Sequence, residues 1–217
     1  MGRKVMKEER REQILEALSR CLLKKPFKET SIKDIAREAG VNHGVLHYYF
    51  SGKEDILLTF MDHIIARYKA DYIRWMEAKT TKETLPGEVL DEMFAFAIKK
   101  ITLNRKLAAL FVEIWEISLY NRKIRSKLQS VYREWIEELN RSLIGMIADK
   151  KRARSMSVAT IAFLEGVSLF AVTLDRKEYP VEKILGEFRI HIRGMIDGEK
   201  KSAKPSVQHG KNQIRQG

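Results

Sequence analysis

Asn42, His43, Gly44, Val45, His47 and Tyr48 crowd into one short stretch of a 217-residue chain. Amide, imidazole and phenol groups all exchange hydrogen bonds, a glycine lets backbone approach a surface closely, and Val45 offers a methyl contact. Such a set suits the reading of base edges in a DNA groove better than the breaking of bonds. Thr30 and Ser31 lie just upstream and Lys53 just downstream. Thr30 or Ser31 opens a helix, and helix N-termini attract anions. His43 and His47, spaced i, i+4, could share a metal ion. No His-Glu-x-x-His motif accompanies them and no third ligand is evident nearby, so no metal site is expected. The rest of the chain holds no glycine-rich phosphate loop, no G-x-S-x-G elbow and no carboxylate pair placed for acid/base work. No catalytic residue and no cofactor is therefore expected, and the chain does not read as an enzyme.

The elements that must position these groups can be read from the stretch 30–50. A helix starts at Thr30 or Ser31, whose hydroxyl can accept a free backbone N–H, with Asp34 placed to complete a capping box. Ile35, Ala36 and Ala39 make its inner face, and the small Ala36 admits a close helix crossing. Gly40 stands where the helix must end in a left-handed residue. Val41 is expected to insert into the core and Asn42 to cap a second helix, on which Val45, Leu46, Tyr49 and Phe50 follow at helical spacing. Helix, glycine turn and short helix compose a helix-turn-helix, whose second helix presents its N-terminal residues to a major groove. A plain helical hairpin without a DNA role is the alternative.

Apolar residues elsewhere recur at helical spacing, and no alternating run or Asn-Gly hairpin signal interrupts them. The fold class read from this is all-α, with helices at 8–24, 31–38, 42–49, 53–79, 87–102, 104–119, 121–149, 155–174 and 180–197. The expected organisation is a three-helix DNA-binding domain over 1–52 and a larger helical effector-binding and dimerisation domain over 53–198. A polar, basic tail over 199–217 is expected to be disordered, or to touch nucleic acid nonspecifically. Lys and Arg number 41 against 29 Asp and Glu, a formal charge of +12. That balance favours a polyanionic partner. One cysteine, Cys21, excludes a disulfide framework, and a charged N-terminus without an apolar core fits a cytoplasmic, nucleoid-associated protein. The stretch 156–174 is long enough to span a bilayer, but Glu165 at its middle and four hydroxyl side chains favour a helix buried against neighbours or a second subunit. No membrane association is expected.

Residues 30–57 resemble the DNA-binding segment of the tetracycline-repressor (TetR) family. The match rests on Thr30, Asp34-Ile35-Ala36, Ala39-Gly40-Val41, Gly44, Leu46, Tyr49-Phe50, Lys53-Glu54 and Leu57. The resemblance implies phosphate contacts from Thr30, Lys53, His47 and Tyr48, and base reading by Asn42, His43, Gly44 and Val45. It also implies a ligand-responsive bacterial repressor that binds a near-palindromic double-stranded operator. Such a regulator is a homodimer through its last two helices and is released by a small-molecule effector held among the fourth to eighth helices. His47 stands where the family usually has Tyr, and Val45 where it often has Thr, so the operator cannot be borrowed from a relative. The competing reading is a sequence-nonspecific architectural DNA binder, in keeping with the charge.

For the effector, chemistry alone nominates Met93, Phe94, Phe96, Phe111, Trp115, Phe163 and Phe170 as apolar lining. Glu113, Glu116 and Glu165 could supply a negative group for a cationic ligand, with aromatic faces assisting. Aromatics at helical spacing also make ordinary core. Glu165 is the exception, since an acid in so apolar a helix needs a partner.

Overall fold

The computed structural model describes residues 2–175 and 177–202, and every regular element among them is helical. In chain order these are α1 (Gly2–Leu22), a 3-10 turn (Phe27–Glu29), α2 (Ile32–Glu38), α3 (His43–Tyr49) and α4 (Lys53–Lys79). There follow α5 (Pro86–Phe96), a π-helical turn (Ala97–Thr102), α6 (Arg105–Tyr120), α7 (Arg122–Ile144), α8 (Lys150–Thr173) and α9 (Val181–Ser202). The last helix thus runs into the stretch expected as tail, and the remainder of that tail lies outside the described residues.

Local chemistry sets the joints of the head. Ser31 Oγ accepts the Asp34 N–H at 3.1 Å, and the Asp34 carboxylate accepts the Ser31 N–H at 2.9 Å, a complete capping box. Lys25 and Ser31 hydrogen bonds hold the Asp34 carboxyl well below the usual range. Gly40 turns the chain at φ +64°, the one left-handed φ among the described residues. Asn42 Oδ1 then accepts the Gly44 N–H at 2.9 Å and starts α3. A Cβ at Gly40 would touch nothing within 4 Å, so only the left-handed backbone opposes a side chain there. Gly40→Ala should therefore cost about 1–2 kcal/mol, measured by urea unfolding, with no new packing defect.

Ile14, Leu18, Ile35, Leu46, Ile56 and Leu57 are fully buried and knit α1–α4 into one core continuous with α6. α1 also clamps its neighbours by polar contacts. Gln13 donates to the Ala39 carbonyl at 2.6 Å, Arg11 to the Tyr49 carbonyl at 3.3 Å, and Arg20, with Lys24 just past the helix end, pairs with Glu38. α4 runs on into the larger domain. There α5 and α7–α9 share a second apolar cluster around Leu90, Leu143, Ile147 and Ile196, and Arg193 ties α9 to Asp91 of α5 at 2.8 Å.

α8 is the one helix among the described residues long and apolar enough to cross a membrane. It packs on α6, α7, α9 and the π turn, with Ser157, Thr160 and Ser168 buried. Ser157 and Ser168 donate back to the Ala153 and Leu164 carbonyls, so their hydroxyls are satisfied within the helix. Its outward side is a stripe of Val158, Ala159, Ala162, Gly166 and Phe170. Beside it α9 exposes Ile190 and Gly194.

Candidate nucleic-acid interface and interior cavity

α3 is only two turns long, and its orientation follows from one buried residue. Leu46 anchors it at 1% exposure. Asn42, His43, Gly44, His47 and Tyr48 consequently stand outward, and Val45 is half-buried at the edge. The His43 and His47 rings meet edge to face at 4.8 Å between centroids, and Tyr48 meets Tyr49 likewise at 4.9 Å. Among the described residues no group of three side chains could hold a metal ion. Ser31 is exposed beside this face as the α2 cap.

Two candidates are placed differently from expectation. Thr30 is 1% exposed and its hydroxyl donates to the Pro26 carbonyl at 3.1 Å. The 3-10 turn that precedes it rolls the side chain inward, so Thr30 shapes the loop and presents no hydroxyl to a phosphate. Lys53 is half-buried: its ammonium donates to the Phe27 carbonyl at 2.7 Å and lies 4.3 Å from the Phe27 ring centroid. Burial pulls its pKa down. The Lys53 charge is thus positioned by Phe27 rather than extended into solvent. Two basic residues of α1 belong to the same surface and were not anticipated. Lys7 lies over the Tyr48 ring at 5.9 Å, and Arg11 over Phe50 at 4.8 Å. Their i, i+4 spacing in a charged segment was the available signal.

The larger domain encloses a cavity of about 740 Å³ between α4, α5, the π turn, α6, α7 and α8. Met93, Phe94, Phe96, Phe111 and Glu165 line it, as nominated. The remaining nominations do not. Trp115 points its indole N–H at the Tyr132 hydroxyl at 2.6 Å, one layer behind the wall. Glu116 is exposed on the far side of α6. Phe163 lies on the opposite flank of α8 and stacks on Phe188 at 3.8 Å, which fixes α9. Glu113 is half-buried and accepts the Phe27 N–H at 2.9 Å, while Phe170 is 46% exposed. Tyr68, Tyr72 and Trp135 are wall residues that were not nominated for the cavity.

Comparison with known proteins follows this division. Residues 14–59 match the model of bacterial regulatory proteins of the tetR family, and residues 86–184 match that of the LmrA/YxaF-like transcriptional regulator C-terminal domain. The transcriptional regulator LmrA of Bacillus subtilis is 25% identical over 166 residues, which is 75% of this chain and 86% of the relative. HbdR of Aromatoleum sp. is 36% identical over 73 residues, spanning 34% of this chain and about a third (32%) of that relative's length. A protein from Saccharomonospora viridis, solved in complex with choline, superposes with a TM-score of 0.69 at 21% identity, covering 88% of this chain and 96% of its own.

Proposed function

The chain belongs to the TetR family of transcriptional regulators, and from that premise we propose that it is a ligand-responsive bacterial repressor acting in the cytoplasm at the nucleoid. Two copies bind a near-palindromic operator as a homodimer, and a small-molecule effector in the α4–α8 cavity releases them. The observation that carries the reading is the outward set on α3, held against solvent by the buried Leu46 and by the Asn42 cap. In a twofold dimer, two such helices meet successive major-groove faces about one helical turn apart. The outward stripe of α8, small residues flanked by Val158 and Phe170, supports a subunit interface made by α8 and α9. The S. viridis protein supports the effector arm, since the same fold there holds a small organic molecule.

Repression follows from occupancy: a dimer seated on a promoter blocks it, and an effector that favours misplaced heads lowers DNA affinity by about 5–150-fold. The formal charge of +12 favours a second reading, sequence-nonspecific DNA packaging. Titrating a palindrome from the chain's own promoter against random duplex at one salt concentration separates the two. Preference for the palindrome by a factor of about a thousand or more is expected, and equal affinity would establish the packaging reading.

Two substitutions test the contact assignment. His43→Ala should cost about 1–3 kcal/mol at particular base pairs and relax preference there. Lys53→Ala should weaken binding to every sequence and lower the slope of log affinity against log salt by about one. Gel-shift titrations on operator and random duplex read both. A uniform loss from both variants would mean that α3 does not read bases through His43.

A further inference from the structure

We propose that the interior cavity takes a lipophilic organic cation, whose positive centre pairs with the Glu165 carboxylate and whose apolar body fills the remaining space. This rests on the reading of the cavity as the effector site. Glu165 projects from the middle of α8 into walls made of Ile64, Leu107, Leu139 and Leu164. Among the described residues no basic side chain forms an ion pair with it. The Tyr132 hydroxyl interacts with the Glu165 carboxyl group. Trp115 occupies the Tyr132 oxygen from behind, so the phenolic proton is left to point at Glu165. A hydrogen bond donated by Tyr132 favours the carboxylate over the carboxylic acid. Apolar surroundings pull the other way and raise the Glu165 carboxyl to about 7. The site is therefore arranged for a negative charge that lacks its counter-ion.

The walls supply the rest of a cation site. Tyr68, Tyr72, Phe111 and Trp135 give rings around the cavity, and a desolvated cation is attracted to such aromatic faces. Burial raises Tyr72 to about 12, so its phenol stays neutral. An anionic ligand meets repulsion from Glu165, and a neutral one leaves its charge uncompensated. Other titratable groups sit away from Glu165. Lys69 of α4 and Arg133, Glu134 and Arg141 of α7 are exposed at the rim, and Glu137 and Glu138 pair there with Arg154 and Arg141. α5, the π turn and α6 contribute only uncharged side chains to the wall. Lys183, Glu187 and His191 of α9 line a separate groove beside Phe163, on the other flank of α8.

Binding below neutrality proceeds as the exchange of one proton for one cation: the Glu165 O–H bond breaks, the proton leaves to solvent and the carboxylate keeps the electron pair. Decyltrimethylammonium, decanol and decanoate share one tail and differ only in head charge, and Trp135 fluorescence together with calorimetry reads their binding to the full chain below micelle formation. The cation should bind at least tenfold more tightly than decanol or decanoate. Its affinity should rise about tenfold from pH 6 to pH 8, following ionisation of a group near 7. Glu165→Gln should abolish the pH dependence and the preference for the cation while decanol binding is retained, which shows the variant folded. Decanol or decanoate binding as well as the cation would overturn the cation assignment and leave the cavity as an effector site. Failure of all three to bind the native chain would overturn both.

Discussion

Replacing Gly166 by arginine should leave each protomer folded, split the proposed α8–α9 dimer and lower affinity for the proposed operator by about 10²–10⁴-fold, the factor lost when two linked contacts become one. Gly166 stands in the middle of the outward stripe of α8, a helix turn from Ala162 and from Phe170. A Cβ at this glycine meets nothing within 4 Å of its own chain, so a long side chain has room in the isolated protomer. Glycine is also a poor helix former, and its replacement inside α8 gains rather than loses local stability. The cost falls on a partner. A stripe of Ala159, Ala162 and Gly166 lets a second backbone approach closely, and a guanidinium placed there is buried without a counter-charge. Analytical ultracentrifugation measures the dimer directly, and gel shift measures the operator. A Gly166→Arg chain that remains dimeric would move the interface off this face.

What could be read before the structure was what short-range chemistry controls. Ser31 with Asp34, Gly40 at positive φ and Asn42 as a cap each declare their role within four residues, and the start of α4 at Lys53 follows from the same punctuation. The burial of Thr30 and the seating of Lys53 on Phe27 were not foreseen, because their partners are carbonyls of the Pro26–Phe27 segment, and a 3-10 turn leaves no periodic trace. The cavity shows the same boundary. Phe111 and Trp115 lie one turn apart on α6 and read alike as sequence, yet one faces the cavity and the other supports Tyr132. Phe163 and Glu165, two residues apart, lie on opposite flanks of α8 by helical period alone, and helix crossing, which no single helix encodes, decides which flank meets the void. The π turn at Ala97–Thr102 was read as a continuous helix; its wider coil brings Ala97, Ile101 and Thr102 to the cavity wall.

That crossing pattern also gives a route from cavity to head. α6 lines the cavity with Leu107 and Phe111, and two residues later Glu113 accepts the Phe27 N–H at 2.9 Å. Phe27 in turn holds Lys53 by its carbonyl and its ring, at the first turn of α4. A second tie joins Glu54 of the same turn to Asn121 and Lys123 at the α6–α7 corner. On the proposed effector reading, a ligand that displaces Phe111 would pull on Phe27 through α6, and Phe27 would carry Lys53 with it. Glu113→Ala should keep cavity binding and operator binding near their native values, yet remove most of the expected ~5–150-fold weakening of the operator complex by ligand. Glu113→Gln keeps a carbonyl oxygen at that position and should retain the response, which separates the hydrogen bond from the charge. The check is a fluorescence-anisotropy titration of labelled operator with and without decyltrimethylammonium, native protein beside variant, alongside thermal melts, since an orphaned Phe27 N–H costs about 1–3 kcal/mol. Full release from Glu113→Ala at native stability would assign the coupling to the Glu54 tie instead, because α4 would then follow the α6–α7 corner without the Phe27 loop.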